Sequence, residues 1–151
     1  MHTTRYLRQL NLFNETGQRL LRESKILIVG AGGLGSLAAA YLAAAGVGHI
    51  TIIDDDIIEL TNLTRQICYL ETDCGELKVN ALKRYIGNLN SNCNVLVEVS
   101  KFCKENAEYL IERHDLILDC CDNFNTKYLI GDYANNSDKP LVSASIEGFL
   151  G

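Results

Sequence analysis

The sequence predicts an α/β domain: a mostly parallel β-sheet with helices on both faces. Three observations carry that expectation. Short apolar, β-branched runs alternate with helical periods from one end of the chain to the other, the order that makes parallel strands with crossover helices. A glycine-rich turn joins the first such run to an Ala/Leu-rich helix. No internal repeat and no Pro/Ser-rich linker divides the chain, so it reads as one continuous domain over residues 1–151.

The elements follow in order. An N-terminal segment is helical in two pieces, near Thr4–Leu10 and Glu15–Arg22. Lys25–Val29 is a strand, and Ser36–Ala45 is a helix that Gly46 stops. His49–Ile53 is the next strand and ends at Asp54-Asp55-Asp56. Over Glu76–Asn88 the apolar positions Leu77, Ala81, Leu82, Tyr85, Ile86 and Leu89 recur with a helical period. Asn94–Val99 is a strand, Glu105–Arg113 a helix, Asp115–Asp119 a strand, Asn123–Asn135 a helix and Pro140–Ala144 the last strand.

Composition bounds the function. A chain of 151 residues buries roughly 70% of its unfolded surface and needs no disulfide or metal to hold a core. With 47% apolar and 22% charged residues and a single Pro, it is not disordered, collagenous or of low complexity. A net charge of −5 gives no support for binding nucleic acid or an anionic membrane. The polar Met1–Glu15 segment lacks the apolar run of a signal peptide and points to the cytoplasm. Cysteines stand at 68, 74, 93, 103, 120 and 121 with no Cys-x-x-Cys pair, so most of them read as small buried apolar residues, and no metal site is expected from them. Ile26–Ile53 carries no charge and is long enough to span a bilayer, but six glycines cut it into a strand, a helix and a strand.

The glycine turn has a chemical reading. Gly30, Gly32 and Gly35 fit G-x-G-x-x-G between a strand and a helix, with Gly33 inside it. Such glycines let the backbone approach a phosphate at the positive end of the following helix. Asp54 ends the next strand, where a carboxylate accepts hydrogen bonds from ribose hydroxyls. The alternative is a tight structural turn, but the full Rossmann-like order of strand, loop, helix, strand and acid favours a nucleotide. The loop by itself leaves NAD, FAD and ATP open.

The cations and acids downstream narrow the choice. Thr61-Asn62-Leu63-Thr64-Arg65-Gln66, then Lys78, then Asp119-Cys120-Cys121-Asp122-Asn123 follow Asp54, and Arg5-Tyr6-Leu7-Arg8-Gln9 stands at the front. A triphosphate calls for Arg and Lys donors and a carboxylate for Mg²⁺, whereas a nicotinamide site needs an apolar ring pocket. Taken singly, Arg65 and Lys78 are ordinary surface cations, Arg8 a cap or surface partner on an exposed helix, and Asp122 an N-cap for the helix after it.

With these motifs in place, the chain resembles the ubiquitin-activating-enzyme superfamily, in its bacterial branch of thiamin and molybdopterin biosynthesis adenylyltransferases (the ThiF, MoeB and HesA group). The Arg-Tyr-x-Arg-Gln start, Gly-x-Gly-Gly-Leu-Gly loop, Ala-Gly-Val-Gly turn, Asn-Leu-x-Arg-Gln segment and Asp-x-x-Asp-Asn segment occur in the family's order over residues 5–151. The ending Pro140–Ser145 with Gly148-Phe149 looks closer to the thiamin-pathway member.

The resemblance implies ATP and Mg²⁺ as cofactors, and a ubiquitin-like sulfur carrier as partner. The carrier's Gly-Gly tail carboxylate would be activated as an acyl-adenylate, in a homodimeric enzyme. It puts Asp54 on the ribose, and Asn62, Arg65 and Lys78 on the phosphates. Asp122 falls on Mg²⁺, and Arg8 on the γ-phosphate in the neighbouring subunit. Asp56, Gln66 and Asn123 complete the candidate nucleotide site. Thr61 stands where Ser is common, Cys121 where Thr is common, and Lys127 where Arg is usual. The family also continues past Gly151, into a region with a reactive Cys, two zinc-binding Cys-x-x-Cys pairs and much of the carrier surface. Zinc is therefore expected only there. The competing classes are an NAD-dependent Rossmann oxidoreductase, resting on the glycine loop and Asp54 alone, and a catalytically incomplete nucleotide-binding fragment. A sister reading keeps adenylation but acts on a peptide or modified tRNA.

Overall fold

Five strands form a single, wholly parallel sheet in the computed structural model, which describes residues 3–146. They are β1 (Lys25–Val29), β2 (His49–Ile53), β3 (Asn94–Glu98), β4 (Leu116–Asp119) and β5 (Leu141–Ser143), in the spatial order β3-β2-β1-β4-β5. The helices are α1 (Thr3–Tyr6), α2 (Leu10–Glu23), α3 (Gly33–Ala45), α4 (Lys78–Leu89), α5 (Lys104–Glu112) and α6 (Phe124–Asn136). The α/β class and the order of elements match the expectation. The Gly148-Phe149 ending lies outside the described residues.

Strand alternation sorts the core into two layers. Ile26 and Ile28 of β1 pack with Ala39 and Ala43 of α3 and with Leu82 and Ile86 of α4. Their neighbours Leu27 and Val29 point the other way, onto Leu110 and Ile111 of α5 and Ile130 and Ala134 of α6. A central parallel strand buried on both faces reads as a continuous apolar run, which is why Ile-Leu-Ile-Val shows no polar alternation. The charge-free stretch from Ile26 to Ile53 is β1, the glycine loop, α3 and β2. Among the described residues no helix is long and apolar enough to cross a membrane.

Several boundaries move for identifiable reasons. Thr4–Leu10 is not one helix: α1 stops at Tyr6, and α2 starts at Leu10. α2 kinks at Asn14 (φ 57°, ψ −175°), whose Oδ1 accepts the N–H groups of Thr16 and Gly17 and so restarts the helix near the expected Glu15. The helix expected from Glu76 begins at Lys78, because Gly75 is left-handed (φ 91°) and Leu77 is extended. β4 starts one residue late, at Leu116. Gly46 does end α3, in the left-handed conformation (φ 98°). Between β2 and α4 the chain makes two short 3-10 turns, Leu60–Thr64 and Glu71–Asp73, that the periodicity did not mark.

His114 ties the sheet to α5. Its Nε2 lies 2.8 Å from Thr51 Oγ1 on β2, and its Nδ1 meets the Leu110 carbonyl, which only accepts. The ring is therefore the neutral Nδ1–H tautomer, with Nε2 accepting from the threonine. Burial holds its pKa below the usual 6.5. The sign follows: below about pH 6.5 the unfolded chain takes up this proton and the folded chain does not, so stability is complete above that pH and falls as the solution is acidified. Urea-unfolding midpoints should drop between pH 7.5 and 5.0, and His114→Gln should flatten that drop.

Candidate functional site

The parallel register sets Val29, Ile53 and Asp119 side by side, so Gly30, Asp54 and Cys120 leave the sheet together at its C-terminal edge. Here β2 lies on one side of β1 and β4 on the other, the reversal of strand order where open α/β sheets form a ligand crevice. Gly30 turns the chain with φ 97°, and a Cβ there would lie 2.9 Å from the Cys120 carbonyl oxygen. A Cβ on Gly35 would lie 1.8 Å from the Gly30 carbonyl oxygen, so the first turn of α3 rests directly on the end of β1. Gly32 at the N-cap offers no side chain, and the first N–H groups of α3 remain open to an anion.

Two side chains hold the loop through one residue, Ala31. Asp54 Oδ2 accepts the Ala31 N–H at 2.6 Å, and the Tyr69 hydroxyl donates to the Ala31 carbonyl at 2.7 Å. Asp54 Oδ1 accepts the Asp56 N–H at 2.7 Å, and each carboxylate oxygen keeps a lone pair for a ribose hydroxyl. Burial, and then the Asp54 charge, push the Tyr69 phenol well above its ordinary pKa, so it stays a donor. Sequence reasoning missed Tyr69; its only signal was its place three residues after Gln66.

The first 3-10 turn brings the next candidates across the loop. Asn62 builds that turn, its Oδ1 accepting the Glu59 N–H and its carbonyl accepting the N–H groups of Arg65 and Gln66. Arg65 is exposed, and a Cβ on Gly33 would lie 3.6 Å from its Cγ. Gln66 is buried against Gly32, and its Oε1 has no hydrogen-bond partner among the described residues. Lys78, the first residue of α4, is buried to 7% exposure with its Nζ 2.7 Å from Asp56 Oδ2. Asp56 is thus the partner of Lys78.

Asp122 is exposed, and Asn123 caps α6 by accepting the Thr126 N–H at 2.9 Å. The capping alternative for Asp122 is overturned by its neighbour. A solvent-facing carboxylate committed to no cap, at the crevice edge, would be free to offer an oxygen to a hard divalent cation.

Just behind it lies Asp119, also missed. Its Oδ2 accepts from Lys127 Nζ at 2.9 Å and Ser143 Oγ at 2.6 Å; its Oδ1 accepts from the Cys121 N–H at 3.2 Å and thiol at 2.8 Å. Burial alone would raise its pKa, but the bonds from Cys121, Ser143 and Lys127 outweigh it and hold the carboxyl below its usual range. Burial and Asp119 push the Cys121 thiol up to about 12, and burial lifts Cys120 to about 11. The expectation of buried cysteines holds for Cys68 and Cys93 alone: Cys103, Cys120 and Cys121 are half-buried at element ends and Cys74 is exposed.

Arg8 sits elsewhere. Gln9 Nε2 donates to the Ala45 carbonyl, Arg5 Nη1 to the Leu89 carbonyl, and the Tyr6 ring packs on Gly46. These contacts pin the exposed Arg8 near the C-terminal end of α3, whose 13 residues separate it from the glycine loop by about 20 Å.

A family model described as the ThiF family matches residues 6–151. The chain is 43% identical to the adenylyltransferase and sulfurtransferase MOCS3 of Culex quinquefasciatus, over 97% of this chain and 34% of that protein. It is 46% identical to the adenylyltransferase and sulfurtransferase uba4 of Emericella nidulans, over 93% of this chain and 30% of that one. It therefore spans about a third of the length of the curated relatives it matches. Among solved structures, E. coli tRNA N6-threonylcarbamoyladenosine dehydratase TcdA in complex with ATP superposes with a TM-score of 0.89 at 30% identity, covering 96% of this chain and 62% of that one. E. coli MccB with AMPCPP and MccA superposes at 0.82 and 28% identity, over 95% and 45%.

Tyr69→Phe removes the donor to a carbonyl on the fully buried Ala31, so it should destabilise the chain by about 1–3 kcal/mol. Urea unfolding measures the loss, and amide exchange should show Ala31 opening more readily than β1.

Proposed function

The chain belongs to the ThiF family, and from that premise we propose that it is the nucleotide-binding part of an ATP-dependent adenylyltransferase acting on the C-terminal glycine carboxylate of a ubiquitin-like sulfur carrier. One observation carries the choice of ATP over NAD: the exposed Arg65 lays its aliphatic stem against Gly33 of the glycine turn, with its guanidinium donating to the Thr61 carbonyl at 3.4 Å. A cation beside the glycine loop serves a polyphosphate and gives nothing to a nicotinamide ring. The sulfur-carrier substrate rests on the motif resemblance and agrees with MOCS3 and uba4, each an adenylyltransferase and sulfurtransferase, at 43% and 46% identity.

The residues divide the work. Open N–H groups at the start of α3 take phosphate oxygens, and Asp54 takes the ribose with its remaining lone pairs. Lys78 Nζ gives one proton to Asp56 and has two left for phosphate; Asn62 Nδ2 and the Arg65 fork add further donors. Asp122 would hold Mg²⁺, which neutralises charge on the phosphates when bound. The carrier carboxylate attacks the α-phosphorus, a P–O bond forms to the acyl oxygen, and the bond to the leaving pyrophosphate breaks. ATP itself supplies the leaving group, so the protein's share is alignment and charge stabilisation.

Arg8 acts on phosphate in trans, since about 20 Å of helix separates it from its own loop. A homodimer places it on the other subunit's nucleotide, and the exposed Leu7, Leu12 and Phe13 beside it give that contact an apolar surface.

Titrating ATP·Mg²⁺ and NAD side by side tests the reading. ATP should bind and NAD should not compete; tight NAD binding without ATP binding sinks it. Arg65→Ala and Lys78→Ala should weaken ATP by about 1.5–3 kcal/mol each while leaving adenosine nearly unaffected. For the arm in trans, mixing Arg8→Ala with Asp122→Ala chains should restore part of the ATP-dependent signal, read as ATP binding at the one complete site of the mixed dimer. No recovery in proven mixed dimers would count against it.

A further inference from the structure

We propose that the buried Asp119–Lys127 pair is the positioning device that holds Asp122 at the cation site, an inference that rests on the nucleotide reading above. Asp119 is 1% and Lys127 14% exposed at the side chain. A buried ion pair is a poor stabiliser, since desolvation offsets its attraction and a well-packed apolar pair does as well. Its bonds, however, run to three elements that meet at the crevice. Through the Cys121 N–H and thiol, Asp119 grips the residue before Asp122. Through Lys127 it grips the first turns of α6, where Asn123, the residue after Asp122, is the cap. Ser143 Oγ donates to the same carboxylate, and Lys127 Nζ donates again to the Ala144 carbonyl at 2.9 Å, locking the end of β5 to both.

Asp122 is therefore strung between two anchored neighbours while making no cap of its own. The register explains why the lock can form: Asp119 and Ser143 are paired residues on adjacent strands. Lys127 is a positioning residue here, its ammonium directed at Asp119 and Ala144.

The test measures ATP affinity of the full 151-residue chain by calorimetry, with and without Mg²⁺, in wild type, Lys127→Met, Lys127→Arg, Ser143→Ala and Asp122→Ala. The expected result is that Lys127→Met cuts the Mg²⁺-dependent gain in affinity fivefold or more, leaves Mg²⁺-free ATP within twofold, and that Lys127→Arg keeps the gain within twofold. Ser143→Ala, which removes one tether and leaves the charge pair, should lose part of the gain and serves where Lys127→Met does not fold. A purely structural pair predicts otherwise: the gain survives, or both affinities fall in equal proportion, and either result overturns the proposal. Asp122→Ala separates the two readings. If it loses the gain while Lys127→Met and Ser143→Ala keep it, positioning alone fails; if it keeps the gain, the cation role of Asp122 fails and the proposal with it.

Discussion

The carbonyl oxygen of Gly30 occupies the place where Gly35 would carry a Cβ, 1.8 Å away, and the site depends on that contact. Any side chain at Gly35 would lift the first turn of α3 off the end of β1 and point its free N–H groups elsewhere. The same two glycines also meet β4: a Cβ on Gly30 would lie 2.9 Å from the Cys120 carbonyl, and one on Gly35 3.3 Å from Cys120 Cβ. Loop, helix and the turn after β4 therefore form one packed unit. Asp54 and Tyr69 then fix Ala31 through its N–H and its carbonyl, so the loop is shaped before a ligand arrives. Preorganised donors of this kind need no reorganisation when charge is bound.

How much of this was legible follows from which interactions are local. The glycine loop, α3 and its Gly46 stop, the five strands and the acid at Asp54 all write themselves in consecutive residues, through turn conformation, apolar runs and helix propensity. The N-terminal helices were harder, because α2 buries no residue and its kink is set by one asparagine side chain closing on the N–H groups of Thr16 and Gly17. Tyr69 and Asp119 were missed for a different reason. Each acts across the sequence, Tyr69 on a carbonyl 38 residues away and Asp119 on a hydroxyl 24 residues away. Nothing in their immediate neighbours distinguishes them from a core tyrosine or a strand-end acid. Asp122 and Asn123 were separable only in three dimensions, since either can cap a helix and the geometry gives the cap to Asn123.

Two lysine–carboxylate pairs border the crevice, and their burial gives them opposite parts. Lys78 is 7% exposed but its partner Asp56 is 65% exposed, so the carboxylate has water to fall back on when the ammonium turns to another anion. Breaking that pair costs little on the acid side, in the range of surface ion pairs. An arriving phosphate can therefore share or take Lys78 while Asp56 is rehydrated, and the lysine is kept folded, charged and aimed until then. Asp119 has no such outlet. At 1% exposure, with both oxygens bonded, it would be stranded as a buried charge if Lys127 left, a loss of about 3–5 kcal/mol for pairs of this kind. The first pair is an exchangeable contact and the second a permanent one. A chain of net charge −5 can in this way keep Lys78 available to a polyanion on one side of its crevice and the exposed Asp122 fixed in place on the other.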